Sequence, residues 1–364
     1  MTQVINRFKS IIYKFIFAFA MFVMMQVTVH AEEPVSANSE ATEHEAEHGK
    51  EKFNAGKLVM DHISDAHEWH LWGSHEHPVS IPLPVIIYDK EKGLSIFSSG
   101  RFEHGHASYN GYKLTEGKIV SENGSSFYDF SITKNVLSIF FVAAIMLMVF
   151  ISVARTYSRN KDKAPSGMQN AIEPVIMFVR DDIAKAAIGD KHHARFMPYL
   201  LTIFFFIWIS NLLGLIPIFP GGANVTGNIA VPLVLAAFTL IITVFNGNKN
   251  YWRHIIAMPG VPVYVLPIVT LIEVIGIVQK PFVLVVRLFA NILAGHIVTL
   301  VFFCLIFVAG ASSTAAGLGT SVPTIAFTIF IYGLELLVGF LQAFVFTFLS
   351  AIYFGMALVE DEHH

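Results

Sequence analysis

Arg287 stands in a run of otherwise almost unbroken hydrocarbon, "IVTLIEVIGIVQKPFVLVVRLFANILAGHIVTLVFFCLIFVAG". A guanidinium stays charged at any physiological pH. At a bilayer centre it costs roughly 2.5–3.5 kcal/mol on insertion scales, and no acid lies one turn away on the same helix. The run also carries Glu273, Lys280, Asn291 and His296, and a second apolar run, "LELLVGFLQAFVFTFLSAIY", carries Glu335, Gln342 and Tyr353. At roughly 100° per residue, Glu273, Gly276, Lys280, Asn291, Ala294 and Val298 fall within about 40° of Arg287, while His296 falls on the opposite face. Glu335, Gly339, Gln342, Phe346 and Tyr353 form a similar stripe. A single buried amide is explained by polar groups satisfying one another inside a helix bundle. An arginine, two acids, a histidine and a glutamine on two adjacent helices read as an ion path.

The elements that position these groups follow from hydropathy and charge. The chain is 54% hydrophobic and only 14% charged, and several apolar runs reach bilayer length, so the fold class is an all-α multi-pass membrane protein. Residues 1–31 read as a signal peptide: Arg7, Lys9 and Lys14 precede an apolar core that ends in "VHA" at Ala31. Residues 32–130 form a His-rich periplasmic segment, charged and flexible at its start, with a partly β or disordered character. Within it "PVIIYDKEKGLSIF" reads as two short strands around a loop containing Gly93. "HEAEH", "HEWH" and "HEHP" resemble metal-ligand spacing, but no cysteine joins them and such tracts are usually solvated surface, so no metal site is assigned.

Residues 131–364 form the membrane domain. Asn135–Ala154 is the first of three transmembrane helices, and Arg155, Arg159, Lys161 and Lys163 put its far end on the cytoplasmic side. Ile172, Val175, Ile176 and Val179 recur at helical spacing among charges, which predicts an amphipathic helix on the inner surface. Met197–Pro217 returns outward, and Asn228–Phe245 comes back to Lys249 and Arg253. Val265–Ala309 and Val322–Val359 are too long for perpendicular spans: about forty residues make roughly 60 Å of helix against a hydrocarbon core of about 30 Å. They are therefore expected as two long tilted helices, with Pro281 a site for a kink and "GASSTAAGLGTS" as the uncharged link. The tail "EDEHH" ends inside. These directions sort the polar groups by depth. Glu273 lies in the inner half and Arg287 near the middle, with Gln342 close to its level. His296 and Glu335 share the outer half. The pattern is two polar half-paths, one from each side, with a fixed cation between them.

At these residues the sequence resembles subunit a of the rotary F-type ATP synthase. "KPFVLVVRLFANILAGHIV" and "LELLVGFLQAFVFTFLSAIY" resemble the family's two signature segments, and "PYLLTIFFFIWISNLLGLIP" and "EPVIMFVRDDIAKAAIG" resemble further family patterns. The similarity spans roughly residues 170–360. It implies that Arg287 is the essential arginine, Asn291 the neighbouring amide, Gln342 the second-helix glutamine and Glu273 the inner-channel acid. It implies that His296 and Glu335 form the outer-channel pair, with acid and histidine exchanged relative to many bacterial members. The partners implied are the carboxylates of a rotor ring of c subunits, b-type peripheral stalk subunits, protons and the lipid bilayer of the bacterial inner membrane. The resemblance implies no catalytic site and no cofactor.

Two other classes compete. A proton-coupled secondary transporter commonly shows an internal repeat with interrupted helices at matching positions, and no such repeat is present. A haem-bearing electron-transfer subunit needs facing histidines at membrane depth. His296 is the only histidine well inside a span, and His254 sits at an inner boundary. The net charge of −3 gives no basis for nucleic-acid binding, and the single cysteine, Cys304, excludes a disulfide framework.

Overall fold

The structure, a computed structural model, describes residue 56 and residues 64–72, 79–90, 92–115, 117–159, 167–216, 218–256, 258 and 260–358. The expected signal peptide and the tracts "HEAEH" and "HEHP" lie outside these. The chain divides into two compact units.

One unit contains a small antiparallel β domain and residues 293–334. In the β domain, β1 (Glu68–Trp72) pairs with β2 (Val79–Pro82), and β3 (Pro84–Asp89) is flanked by β4 (Gly93–Ser98) and β8 (Phe127–Asp129). A third sheet joins β5 (Ser108–Tyr109), β6 (Tyr112–Thr115) and β7 (Lys118–Ser121). The two strands expected around Gly93 are β3 and β4, in register from Pro84↔Ser98 to Asp89↔Gly93. The strands enclose a small core of their own. Val85, Ile87, Phe102, Tyr112 and Ile119 form a core, packed by Phe97, Tyr109, Leu114 and Phe127. Each strand contributes only one or two inward apolar residues, too few to produce a periodic signal in so polar a stretch.

The second unit contains most of the helices. α1 runs over Lys134–Arg159 and α2 over Met168–Phe178. The chain continues from α2 through a π-helical stretch, Val179–Lys185, to Ala186–Ile188, where a single α-helix had been expected. Val179, Ile183 and Ala184 are buried on one side of that stretch. On the other, Arg180 Nε and Nη2 donate to the two Asp181 carboxylate oxygens at 2.9 and 2.8 Å, and Lys185 Nζ adds a contact at 3.0 Å. These bonds hold the Asp181 carboxyl well below the usual carboxylate range, Arg180 contributing most. α3 (His193–Leu215) and α4 (Ala230–Asn246) follow, and α5 (Lys249–Ile256) turns away from α4 by 103°.

α6 (Leu266–Ser312, 47 residues) and α7 (Thr314–Leu358, 45 residues) are the two long helices. At about 1.5 Å per residue each approaches 70 Å. α6 runs through Pro281 without a break, and the two helices are separated by Ser313 alone, not by a twelve-residue link. The Ser313 hydroxyl accepts the Ala316 N–H at 3.1 Å and so starts α7 as a side-chain cap. The adjacent small residues add helix to both sides. Gly310 and Gly317 meet where the chain reverses: a Cβ on Gly317 would lie 2.8 Å from the Gly310 Cα. Between two and three turns further along, the Phe302 and Phe327 rings pack at 4.5 Å.

Among the described residues, α1, α3, α6 and α7 are each long and apolar enough to cross a membrane, and the bent α4–α5 pair makes a fifth candidate.

Candidate functional site

Arg287 lies on the exposed side of α6 together with Val286, Ala290 and Asn291. Directly behind it Leu284 and Leu288 are each 1% exposed and Val285 is buried, so packing fixes the backbone while the guanidinium faces outward. Among the described residues no carboxylate forms an ion pair with Arg287.

Two turns N-terminal, α6 lines a narrow cavity of about 10 Å³, roughly one water-sized sphere. Its walls are Thr239, Leu240 and Thr243 of α4, Tyr251 of α5, Ile277, Lys280 and Pro281 of α6, and Tyr353 of α7. Lys280 Nζ stands 5.7 Å above the Tyr353 ring. The Glu273 carboxylate is near enough to Tyr251 to act on it electrostatically, and Tyr353 feels the charge of Arg287 in the same way. Of the residues singled out from sequence, Lys280 and Tyr353 line this cavity. α4 completes it. The Tyr199 and Thr239 hydroxyls are 2.9 Å apart, Thr239 and Ser350 are 3.3 Å apart, and the Thr243 hydroxyl donates to the Thr239 carbonyl at 2.7 Å.

Gln342 is 5% exposed, one turn beyond Gly339 on α7. That glycine permits a close helix crossing: a Cβ there would lie 3.1 Å from the Asn211 Cβ. Asn211 Nδ2 donates to the Gly339 carbonyl at 3.1 Å, and Thr226 Oγ1 donates to Asn211 Oδ1 at 2.6 Å. Phe346 is buried as well. Glu335 and His296 are each half-buried.

Thr239, Thr243, Tyr251 and Asn211 were not among the residues singled out from sequence. Asn211 had a signal, an amide inside an apolar span in "FFFIWISNLLG". The threonines had none, because a helical threonine commonly satisfies its hydroxyl on its own backbone.

In the β domain, His67 from "HEWH" is 7% exposed. Its Nδ1 faces the Gly117 carbonyl at 2.9 Å and its Nε2 faces Asp129 Oδ2 at 3.3 Å. Both partners are acceptors, so both ring nitrogens donate and the pair is imidazolium against carboxylate. Burial alone would lower the His67 pKa, but the Asp129 carboxylate and the Gly117 carbonyl outweigh it and raise it. Burial would raise the Asp129 pKa, and His67 with Ser131 lowers it instead.

Long apolar helices packed around a few buried polar side chains define a multi-pass membrane protein. Comparison with known sequences gives the particular family. The family described as ATP synthase A chain matches residues 136–355, and a domain of unknown function, DUF8433, matches residues 58–137. ATP synthase subunit a 2 of Chlorobium luteolum is 38% identical over 341 residues, 92% of this chain and 85% of the relative. ATP synthase subunit a 2 of Prosthecochloris aestuarii is 44% identical over 242 residues, 65% of this chain and 71% of the relative. ATP synthase subunit a of Myxococcus xanthus is 40% identical over 241 residues, 65% of this chain and 76% of the relative. The chain belongs to the ATP synthase subunit a family, the bacterial F-type membrane sector concerned with proton transport and ATP synthesis.

Proposed function

We propose that this chain is the non-catalytic proton-channel subunit of its ATP synthase, with two offset half-channels that meet at a rotor ring. The observation that carries the reading is the outward-facing Arg287 on a packed apolar helix, next to a cleft lined by Lys280, Tyr251 and Tyr353. An exposed guanidinium on such a surface calls for an anionic partner outside the chain. A ring carboxylate that loses its proton on reaching the interface supplies one. The attraction is strong in low dielectric but must break as the ring advances.

Protons are taken up through His296 and Glu335, ride the ring, and leave past Glu273. Histidine suits relay work because its unperturbed pKa is near 6.5. Asn291 and Gln342 flank the arginine on the two long helices, and Tyr353 lines the inner path. Arg287 blocks direct leakage between the half-channels. The helices cross the bacterial inner membrane with the N-terminal domain outside and the C-terminus in the cytoplasm, and b-type stalk subunits hold the chain against the ring.

The test is ATP-driven acidification of inverted vesicles. Arg287→Ala abolishes pumping at normal levels of assembled complex. Near-normal pumping by that variant would overturn the reading.

A further inference from the structure

The β4–β3–β8 sheet of the β domain has one face in the core and one face outward, and the outward face is apolar. Strand alternation predicts polar residues on a solvated face. Here the outward positions form a grid. Tyr88 pairs with Leu94 on one side and Tyr128 on the other, and Ile86 pairs with Ile96. The Ile86 carbonyl accepts the Phe130 N–H at 2.8 Å, and the Pro84 carbonyl accepts the Ile132 N–H at 3.0 Å, extending the β8 edge of the same face. Leu94 and Ile96 are 62% and 65% exposed, Tyr88, Tyr128 and Phe130 are exposed too, and none of these positions carries a charge. A contiguous exposed apolar patch of this kind marks an interaction surface.

The chain itself points to the occupant. The column Tyr128, Phe130, Ile132 runs straight on to Lys134, the first residue of α1. There is no linker. The Thr133 hydroxyl donates to Asp65 Oδ2 at 2.8 Å and the Lys134 N–H donates to the Ala66 carbonyl at 2.8 Å, so the domain holds the chain up to the residue where α1, a candidate membrane span, begins. At no more than about 3.6 Å per residue, two residues separate Ile132 from that span by roughly 7 Å. The domain is therefore tethered at the bilayer surface, and its outward sheet carries the tyrosine, phenylalanine and aliphatic mixture that partitions to the lipid headgroup level.

We propose that the outer face of the β4–β3–β8 sheet is a lipid-docking surface that seats the domain on the membrane at the N-terminal end of α1. The test uses the full chain in its assembled complex in liposomes, with Cys304→Ser as background. Nitroxide labels are placed at Ile96→Cys and, separately, at Leu94→Cys on the face, and at Lys113→Cys on the other sheet. Collision with oxygen, which concentrates in lipid, is compared with collision with a water-soluble nickel chelate. The expected result is an oxygen-to-nickel collision ratio at both face positions several-fold above that at Lys113. Face labels as open to the nickel chelate as Lys113 would overturn the proposal. So would face labels shielded from both reagents, which would assign the face to protein: another subunit, a second copy or the chain's own N-terminal stretch. The readout is location rather than pumping, so it stands apart from the half-channel reading.

Discussion

Asn211 and Gly339 join α3 to α7 through one hydrogen bond of 3.1 Å, three residues before Gln342 on α7. Residue 339 has no side chain, and a Cβ there would crowd Asn211 at 3.1 Å, so the glycine lets the Gln342 helix approach its neighbour closely. Asn211→Ala leaves the Thr226 hydroxyl and the Gly339 carbonyl without this partner, a loss of about 1–3 kcal/mol for a buried group. Gly339→Val adds a steric clash. Thermal inactivation of the solubilised complex should shift downward for both, more for Gly339→Val. Unchanged inactivation in Gly339→Val would remove this contact from the account of how Gln342 is placed.

Arg287→Lys keeps the charge but replaces a planar, weakly hydrated fork with a strongly hydrated point charge. Pumping in inverted vesicles should fall at least tenfold at equal assembly. Retention of more than half the wild-type rate would mean that charge alone suffices at this position.

His296 and Glu335 are expected to serve one half-channel. Each single substitution, His296→Ala or Glu335→Gln, should slow pumping, and the double variant should be little worse than the poorer single. The exchanged pair, His296→Glu with Glu335→His, should recover appreciable activity. A double-mutant cycle on transport rate decides the matter, since strictly additive effects would mean that the two act separately.

The His67–Asp129 pair makes the β domain pH-sensitive. The folded His67 pKa is raised, so its stabilisation is complete below the unfolded value near 6.5 and is lost as pH rises through the folded value. The folded Asp129 pKa is lowered, so its contribution is present above the unfolded value near 3.9 and is lost as pH falls through the folded one. Limited proteolysis of the β domain in the intact complex should therefore accelerate as pH rises from about 6.5 through the raised His67 pKa and level off above it. After correction for the protease's own pH profile, His67→Gln should flatten that dependence. An equal pH dependence in the variant would assign it to other groups.

The membrane portion was largely legible in the sequence because lipid imposes a length: about twenty apolar residues per span, with cations on one side. The excess length of α6 and α7 was legible for the same reason. Their ends were not. Gly310 to Ser321 reads as a link by composition, yet it continues as helix because Ser313 supplies a cap and two glycines allow a tight reversal. The polar stripe on α6 included Lys280, which lines the cleft. The other wall was hidden. Thr239 and Tyr251 matter only through which helices pack together, and no periodicity within α4 or α5 encodes that. The β domain was legible only at "PVIIYDKEKGLSIF", where two strands adjoin; β3–β8 joins strands distant in sequence, and the other pairings join very short neighbouring strands.

The single residue between α6 and α7 leaves no slack at that joint. To slide one helix past the other by a turn, about 5.4 Å, the chain would have to unwind at Ser313 and part the Gly310–Gly317 contact. Shear, the small sliding by which packed helices usually accommodate load, is closed to the pair at this end. A sideways push on either helix is therefore passed on as rotation of both. The reversal at Ser313 thus acts as a clasp between the adjoining turns of the two helices.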